Sequence, residues 1–214
     1  MNILIVGANG GIGRILSKQL AHEEGKNPIA MIRKEEQKSF FDEIGVETTM
    51  GDLEDSVEDL TNVFEGADAV VFTAGSGGKT DYDKTLEIDL DAAIKCMEAA
   101  EQTNIDRFLI VSVINVDNRE IWSASGMKPY MIAKYYADQH LKKSTLDYTI
   151  LRPGSLTDDK GTGNISTSPN AESGNEIPRE DVASVITACL KNDSTIAKTF
   201  DFVSGDTPIE EAIN

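Results

Sequence analysis

Three glycines recur at three-residue spacing near the start of the chain, in Val6-Gly7-Ala8-Asn9-Gly10-Gly11-Ile12-Gly13-Arg14. An unbroken apolar run, Ile3-Leu4-Ile5-Val6, precedes them. A stretch of helical periodicity follows over residues 12–24, with Ile12, Ile15, Leu16 and Leu20 on one face. A strand, a glycine loop and a helix in this order can cradle phosphate. The first glycine permits a tight turn, the second lets the backbone approach a pyrophosphate, and the third lets helix and strand pack closely. The opening of the helix adds unpaired N–H groups and a partial positive charge. The expected ligand is therefore a dinucleotide, held at Gly7, Asn9, Gly10, Gly11, Ile12, Gly13 and Arg14. In NAD binders an acidic residue commonly closes the second strand and takes the ribose 2′-hydroxyl. Here that strand ends Met31-Ile32-Arg33-Lys34, with no carboxylate before Glu35. Arg33, with Arg14 reaching the same place, suits a 2′-phosphate, so NADP is expected ahead of NAD. Further along, Tyr130 and Lys134 stand four residues apart, which puts a phenol and an ammonium on one face of a helix.

These residues need a scaffold, and the apolar pattern supplies one. Strand-like runs fall at residues 3–6, 28–32, 46–50, 69–72, 108–113 and 148–151, with another at 199–203. Helical stretches lie between them at 34–44, 56–65, 83–103 and 129–143, then at 178–190, with a terminal turn at 208–213. In the long stretch 83–103, Leu86, Leu90, Ile94 and Met97 are expected on one side. Alternation of this kind predicts a doubly wound parallel sheet, a three-layer α/β/α Rossmann fold, because each parallel crossover is long enough for a helix. Residues 157–176 are rich in Gly, Ser, Thr, Asn and Asp. They read as a substrate-side flap with one short strand near Ile165. The domain expectation is a single unit over 1–214, with a small C-terminal substrate-side segment from about 154 to 214.

Composition bounds the partners. The 214 residues carry a formal net charge of -17, which repels nucleic-acid phosphates and anionic lipid, so neither nucleic acid nor membrane is an expected partner. A dinucleotide is also an anion, so its site needs a local positive field. Cys96 and Cys189 lie far apart in helix-like stretches and read as buried apolar thiols. His22 and His140 are remote from each other, and no metal site is expected. The opening Met1-Asn2-Ile3-Leu4-Ile5-Val6 lacks the pattern of a signal peptide, and no apolar run is long enough to span a bilayer. A reducing cytoplasm is the expected location.

Several segments together resemble the short-chain dehydrogenase/reductase superfamily, in particular its atypical NAD(P)H-binding, epimerase/dehydratase-like members. They are the glycine loop, Gly51-Asp52-Leu53, Phe72-Thr73-Ala74-Gly75, Tyr130-Met131-Ile132-Ala133-Lys134, Leu151-Arg152-Pro153-Gly154 and Pro178-Arg179-Glu180-Asp181-Val182-Ala183. The similarity runs along essentially the whole chain. It implies that Asp52 and Leu53 contact the adenine, that Ala74 and Gly75 line the cofactor, and that Pro153, Gly154 and Ser155 flank the nicotinamide. It also implies that Tyr130 and Lys134 carry proton chemistry, with Lys134 bonding the nicotinamide ribose as well. A free tyrosine titrates near 10; a neighbouring ammonium, with a positive nicotinamide ring, brings that value toward neutrality. The resemblance further implies a serine at the end of the fifth strand. Ser112 stands there, while the second position of the family's usual serine pair is Val113, and Ser123 or Ser125 are alternatives. The family's asparagine on the fourth helix falls on Asp89, which accepts hydrogen bonds but does not donate them when ionised.

The expected function is an NADP-dependent oxidoreductase on a small carbonyl or alcohol substrate. A non-catalytic NADP(H)-binding redox sensor is the alternative. A nucleotide-sugar epimerase or dehydratase ranks last, since only about sixty residues follow Pro153. The small-molecule substrate would sit against residues 114–129, including Trp122, and 156–176. Trp122 reads either as a pocket wall or as an aromatic packed under its own loop.

Overall fold

The computed structural model describes residues 1–77, 81–123, 125–168 and 175–214. Among them the chain runs β1 (Asn2–Val6), α1 (Gly11–Leu20), β2 (Asn27–Ile32), α2 (Lys38–Glu43), β3 (Glu47–Met50), α3 (Val57–Phe64) and β4 (Ala69–Phe72). Next come α4 (Tyr82–Lys84), a π-helical turn (Thr85–Asp91), α5 (Ala92–Gln102), β5 (Arg107–Val111), α6 (Lys128–Leu141) and β6 (Asp147–Pro153). The remainder is β7 (Ser155–Thr157), β8 (Asn164–Ser166), β9 (Glu176–Pro178), α7 (Arg179–Cys189), β10 (Lys198–Ser204), β11 (Thr207–Pro208) and α8 (Ile209–Ala212).

The main sheet has the order β3-β2-β1-β4-β5-β6-β10-β8-β11. The first seven strands are parallel, and β8 and β11 close the edge antiparallel. The chain winds outward from β1 to β3 and then returns to β4, so the strand order reverses between β1 and β4. An open parallel sheet holds its ligand crevice at such a reversal, beyond the carboxyl ends of the strands. The unbroken apolar strands are explained by burial on both faces. Ile3 and Ile5 meet Leu16 of α1 and Val182 and Ile186 of α7 on one side. Leu4 and Val6 belong with Leu60 and Phe64 of α3, Met97 of α5 and Leu141 of α6 on the other. This is the expected doubly wound, three-layer arrangement.

The structure departs from the sequence pattern in three places. The stretch 83–103 is not one continuous α-helix, because the π-helical turn interrupts it. Its wider turn rotates the buried face: Leu86, expected inside, is 50% exposed, while Thr85 and Asp89 are buried. The fifth strand, expected to reach residue 113, stops at Val111. The segment 157–176 contains the strand foreseen near Ile165. In addition its two ends are drawn together, with Ser155, Leu156 and Thr157 of β7 beside Glu176, Ile177 and Pro178 of β9 in a parallel pair. Strands of three residues are too short to show a period.

Candidate functional site

The glycine loop sits at the β1/β4 reversal. Gly7 has φ 82°, a left-handed conformation that glycine adopts without cost. It lies so close to β4 that a Cβ there would stand 2.6 Å from Ala74 N. Thr73 Oγ1 donates to Val6 O at 3.0 Å, tying the two strand ends together. A Cβ at Gly13 would meet Gly7 O at 2.4 Å and Ala8 Cα at 2.6 Å, so the third glycine is required by packing. At Gly10 it would meet only Gly7 O, at 3.2 Å. Gly10 is also the N-cap of α1, where no side chain caps the helix and no acidic residue occupies the first turn. The α1 opening thus keeps its partial positive charge, the condition for receiving a pyrophosphate. Arg14 is held by Asn9, whose Oδ1 accepts from Arg14 Nε at 3.0 Å and Nη2 at 2.6 Å. The Arg14 guanidinium also lies over the Phe40 ring, 4.4 Å from its centre. Ile12 is buried in the core beneath the loop.

At the ends of β2 and β3, Arg33, Met50, Gly51, Asp52 and Asp55 line an open recess of about 280 Å³. The Arg33 guanidinium is 3.9 Å from Glu54 and more than half exposed. Asp52 holds its own turn, Oδ1 accepting from Glu54 N at 3.1 Å. Leu53 packs against the core. The recess brings Arg33 and Asp52, both foreseen from sequence, to one place.

The second cluster is buried beneath the carboxyl edge. Lys134 and Asp89 are 3% and 0% exposed, and Nζ stands 3.2 Å from Oδ1. Lys134 also donates to Val111 O at 3.2 Å. The other Asp89 oxygen accepts from Ser76 N at 3.0 Å, and a Cβ at Gly75 would lie 3.0 Å from Oδ1. Asp89 therefore joins the Ala74–Gly75 loop to the lysine. The Lys134 ammonium is 5.8 Å from the centre of the half-buried Tyr130 ring. Burial works against this ammonium, but the Tyr130 and Asp89 charges outweigh it and the lysine pKa is raised. The phenol does not follow the expectation that Lys134 lowers its pKa. Burial pushes Tyr130 up, Lys134 pulls it down, Asp89 and Asp138 push it up again, and the net direction is upward. The main reason is burial, and the Asp89 carboxylate beside the ammonium opposes part of what Lys134 does to the phenol.

Ser112 is 3% exposed. Alternation places it with Phe108 and Ile110, on the face covered by α5 and α6. Its hydroxyl makes no hydrogen bond of good geometry but lies beside Asp138, whose pKa burial raises overall against the pull of Arg152 and, less strongly, of this hydroxyl. Of the alternative serines, Ser125 donates to Trp122 O at 2.8 Å, and Ser123 is exposed. Trp122 takes the second of its two readings. It is 6% exposed, donates Nε1–H to Val116 O at 2.9 Å and packs edge-on to Tyr135. Pro153 and Gly154 are buried at the end of β6. Gly154 N donates to Phe202 O at 2.9 Å, and Ser155 N to Asn175 O at 2.6 Å. A Cβ at Gly154 would lie 2.4 Å from Asn175 O. These three residues thus hold strand ends together, and two of their N–H groups already have protein acceptors. Parts of the expected substrate wall, Ala124 and residues 169–174, lie outside the described residues.

Sequence reasoning missed an ion network around a buried arginine next to Lys134. Arg152 is 3% exposed and reaches Asp138 at 2.9 Å, Asp117 at 2.6 Å and Asp201 at 3.7 Å. Asp201 in turn accepts from Asn115 N at 3.1 Å. The network pins the loop after β5 to α6 and β10. One sequence signal for it exists: Asp138 shares a helix face with Met131, Ala137 and Leu141, and an acid on an apolar stripe calls for a buried cation.

A family model described as NAD(P)H-binding matches residues 7–193. A Bacillus subtilis (strain 168) protein named as an uncharacterized sugar epimerase, YhfK, is 45% identical over 213 residues, covering 100% of this chain and 99% of that one. A putative NAD-dependent epimerase/dehydratase from Bacillus halodurans superposes with a TM-score of 0.90 at 42% identity, covering 100% of this chain and 98% of that one. The oxidoreductase ylbE from Lactococcus lactis gives 0.87 at 34%, covering 100% and 95%.

Proposed function

The chain belongs to the NAD(P)H-binding family, and on that footing we propose that it is an NADP-dependent oxidoreductase of the atypical short-chain dehydrogenase/reductase type, acting on a small carbonyl or alcohol through Tyr130 and Lys134. The observation that carries this reading is the placement of a half-buried phenol 5.8 Å from a buried ammonium, with Asp89 linking that ammonium to the loop at the strand reversal. The residues at the glycine loop fit a dinucleotide. Gly10 leaves its backbone approachable, α1 is uncapped, and Arg14 and Arg33 supply cations in a chain of net charge -17. A bound nicotinamide supplies or accepts the hydride. The protein contributes the rest. Tyr130 Oη holds the proton that a substrate oxygen gains or gives up, and Lys134 biases that phenol toward release. Arg33 favours the 2′-phosphate over a bare ribose.

One pair of observations supports a second reading, a non-catalytic NADP(H) sensor: Asp89 neutralises Lys134, and Ser112 lies buried beside Asp138. A panel of small carbonyls with NADPH separates the two, with nucleotide sugars as a third arm prompted by the epimerase names among the relatives. The reductase reading expects NADPH consumption that Tyr130→Phe abolishes while cofactor affinity is kept. Tight NADPH binding with no turnover on any arm favours the sensor. Arg33→Ala should weaken NADPH far more than NADH, and equal weakening would overturn the assignment of NADP.

A further inference from the structure

The arginine that opens α7 lies against the glycine loop although it is far away in sequence. A Cβ at Gly11, the first residue of α1, would stand 2.8 Å from Arg179 Cδ and 3.0 Å from Nε. The Arg179 side chain therefore crosses directly over the opening of α1. Its position is fixed by two features. The β7/β9 pair aligns Thr157 with Pro178, so the residues that follow, Asp158 and Arg179, emerge side by side. The first turn of α7 then grips the next loop: Glu180 accepts from Gly161 N at 2.8 Å, and the buried Asp181 from Thr162 N at 3.0 Å and Gly163 N at 2.8 Å. The guanidinium itself is only partly exposed and has Asp158 Oδ1 at 2.7 Å, on a side chain that is 92% exposed. An ion pair with so exposed a carboxylate is weakly held. A phosphate oxygen at the α1 opening offers the same fork a stronger partner, with the helix end adding its own field.

We propose that Arg179 is a ligand of the cofactor's pyrophosphate, and that Asp158 holds its guanidinium over Gly11 until the phosphates take it over. This rests on the reading of the glycine loop as the dinucleotide site, and it links cofactor binding to the segment that begins at β7. Arg179 differs from Arg33 in what it recognises. It reads the phosphoanhydride that NADPH and NADH share, so it contributes affinity without choosing between them.

The test is calorimetric titration of the full chain with NADPH, NADH, ADP and adenosine 2′-monophosphate, for the wild type, Arg179→Gln, Arg179→Lys and Asp158→Asn. Arg179→Gln should weaken NADPH and NADH by the same factor, about ten- to a hundredfold, the range for losing a charge-assisted hydrogen bond. ADP should weaken with them, and adenosine 2′-monophosphate should stay within about twofold. Arg179→Lys should fall between, since it keeps the charge but loses the fork. Asp158→Asn, which removes the competing carboxylate, should tighten both dinucleotides. Arg179→Gln binding both dinucleotides as the wild type does would overturn the proposal. So would a loss extending equally to adenosine 2′-monophosphate, which would mean general damage to the site. A wild type that takes up neither dinucleotide sinks the cofactor reading and this one together. Wild-type binding that Arg179→Gln leaves intact sinks only the role of the arginine.

Discussion

Replacing Asp89 with asparagine should uncover the effect of Lys134 on Tyr130. The asparagine side chain keeps the size of the carboxyl group and can still accept from Ser76 N, which stands 3.0 Å from Oδ2 in the native protein. What it removes is the negative charge 3.2 Å from the ammonium. The Lys134 nitrogen is 5.8 Å from the centre of the Tyr130 ring. At an effective dielectric constant of about 20, two unit charges about 6 Å apart interact by roughly 3 kcal/mol, so an ammonium beside this ring is near enough to act on its phenol. Asp89 now opposes part of this by pushing the phenol up. The Tyr130 pKa should therefore fall in Asp89→Asn, with burial still holding it up. The readout is ultraviolet absorbance of the tyrosinate as pH is raised, with Tyr130→Phe in the same background identifying the transition. The variant also leaves a buried ammonium without its counter-ion, which costs about 3–5 kcal/mol, so the melting temperature should drop by roughly 6–20 °C. Because Asp89 and Tyr130 raise the lysine pKa, the stability held in this ammonium is complete below about 10.5. It disappears as pH climbs through the higher folded value. The substitution should move that alkaline loss to lower pH. A phenol that titrates where it does in the wild type, in a variant that still folds, would refute the claim that the Asp89 charge opposes Lys134 at Tyr130.

The glycine loop separates packing from binding. Gly13→Ala, with backbone atoms 2.4–2.6 Å from the new Cβ, should cost about 3 kcal/mol and lower the melting temperature by roughly 6–12 °C. Gly10→Ala, with only a 3.2 Å contact, should keep its melting temperature while NADPH affinity drops about tenfold or more. Calorimetry on both variants would contradict this if the two losses tracked each other. Burial pushes the Cys189 thiol up to about 12 and raises Cys96 as well. Both should resist alkylation in the native protein near neutral pH and react on unfolding; rapid native labelling counts against the packing. Asp117 is lowered: burial raises it, but the bond and charge of Arg152 prevail. Its stabilisation is present above about 4 and is lost as pH falls through its lower folded value. Asp117→Asn should flatten that part of the acid limb in a denaturation series.

Much of the site was legible because its logic is local. Gly7, Gly10 and Gly13, the strand before them and the helix after them lie within one continuous stretch, and that context made the spacing readable as a cradle for an anion. Alternating apolar runs likewise fixed a parallel sheet with both faces covered, since burial leaves its mark residue by residue. Arg33 was readable because it stands where an acid would otherwise close β2. What the fold alone decided concerns charges placed against the pattern. The resemblance put Asp89 at the site, but only the fold, with its π-helical turn, shows it buried against Lys134. Ser112 follows the strand's alternation, and only the fold shows Asp138 beside it. Asp138 and Arg152, or Arg179 and Gly11, meet only because distant elements come to one edge of the sheet. Periodicity records which positions leave water, whereas the partner that lets a charge do so is supplied by another part of the chain.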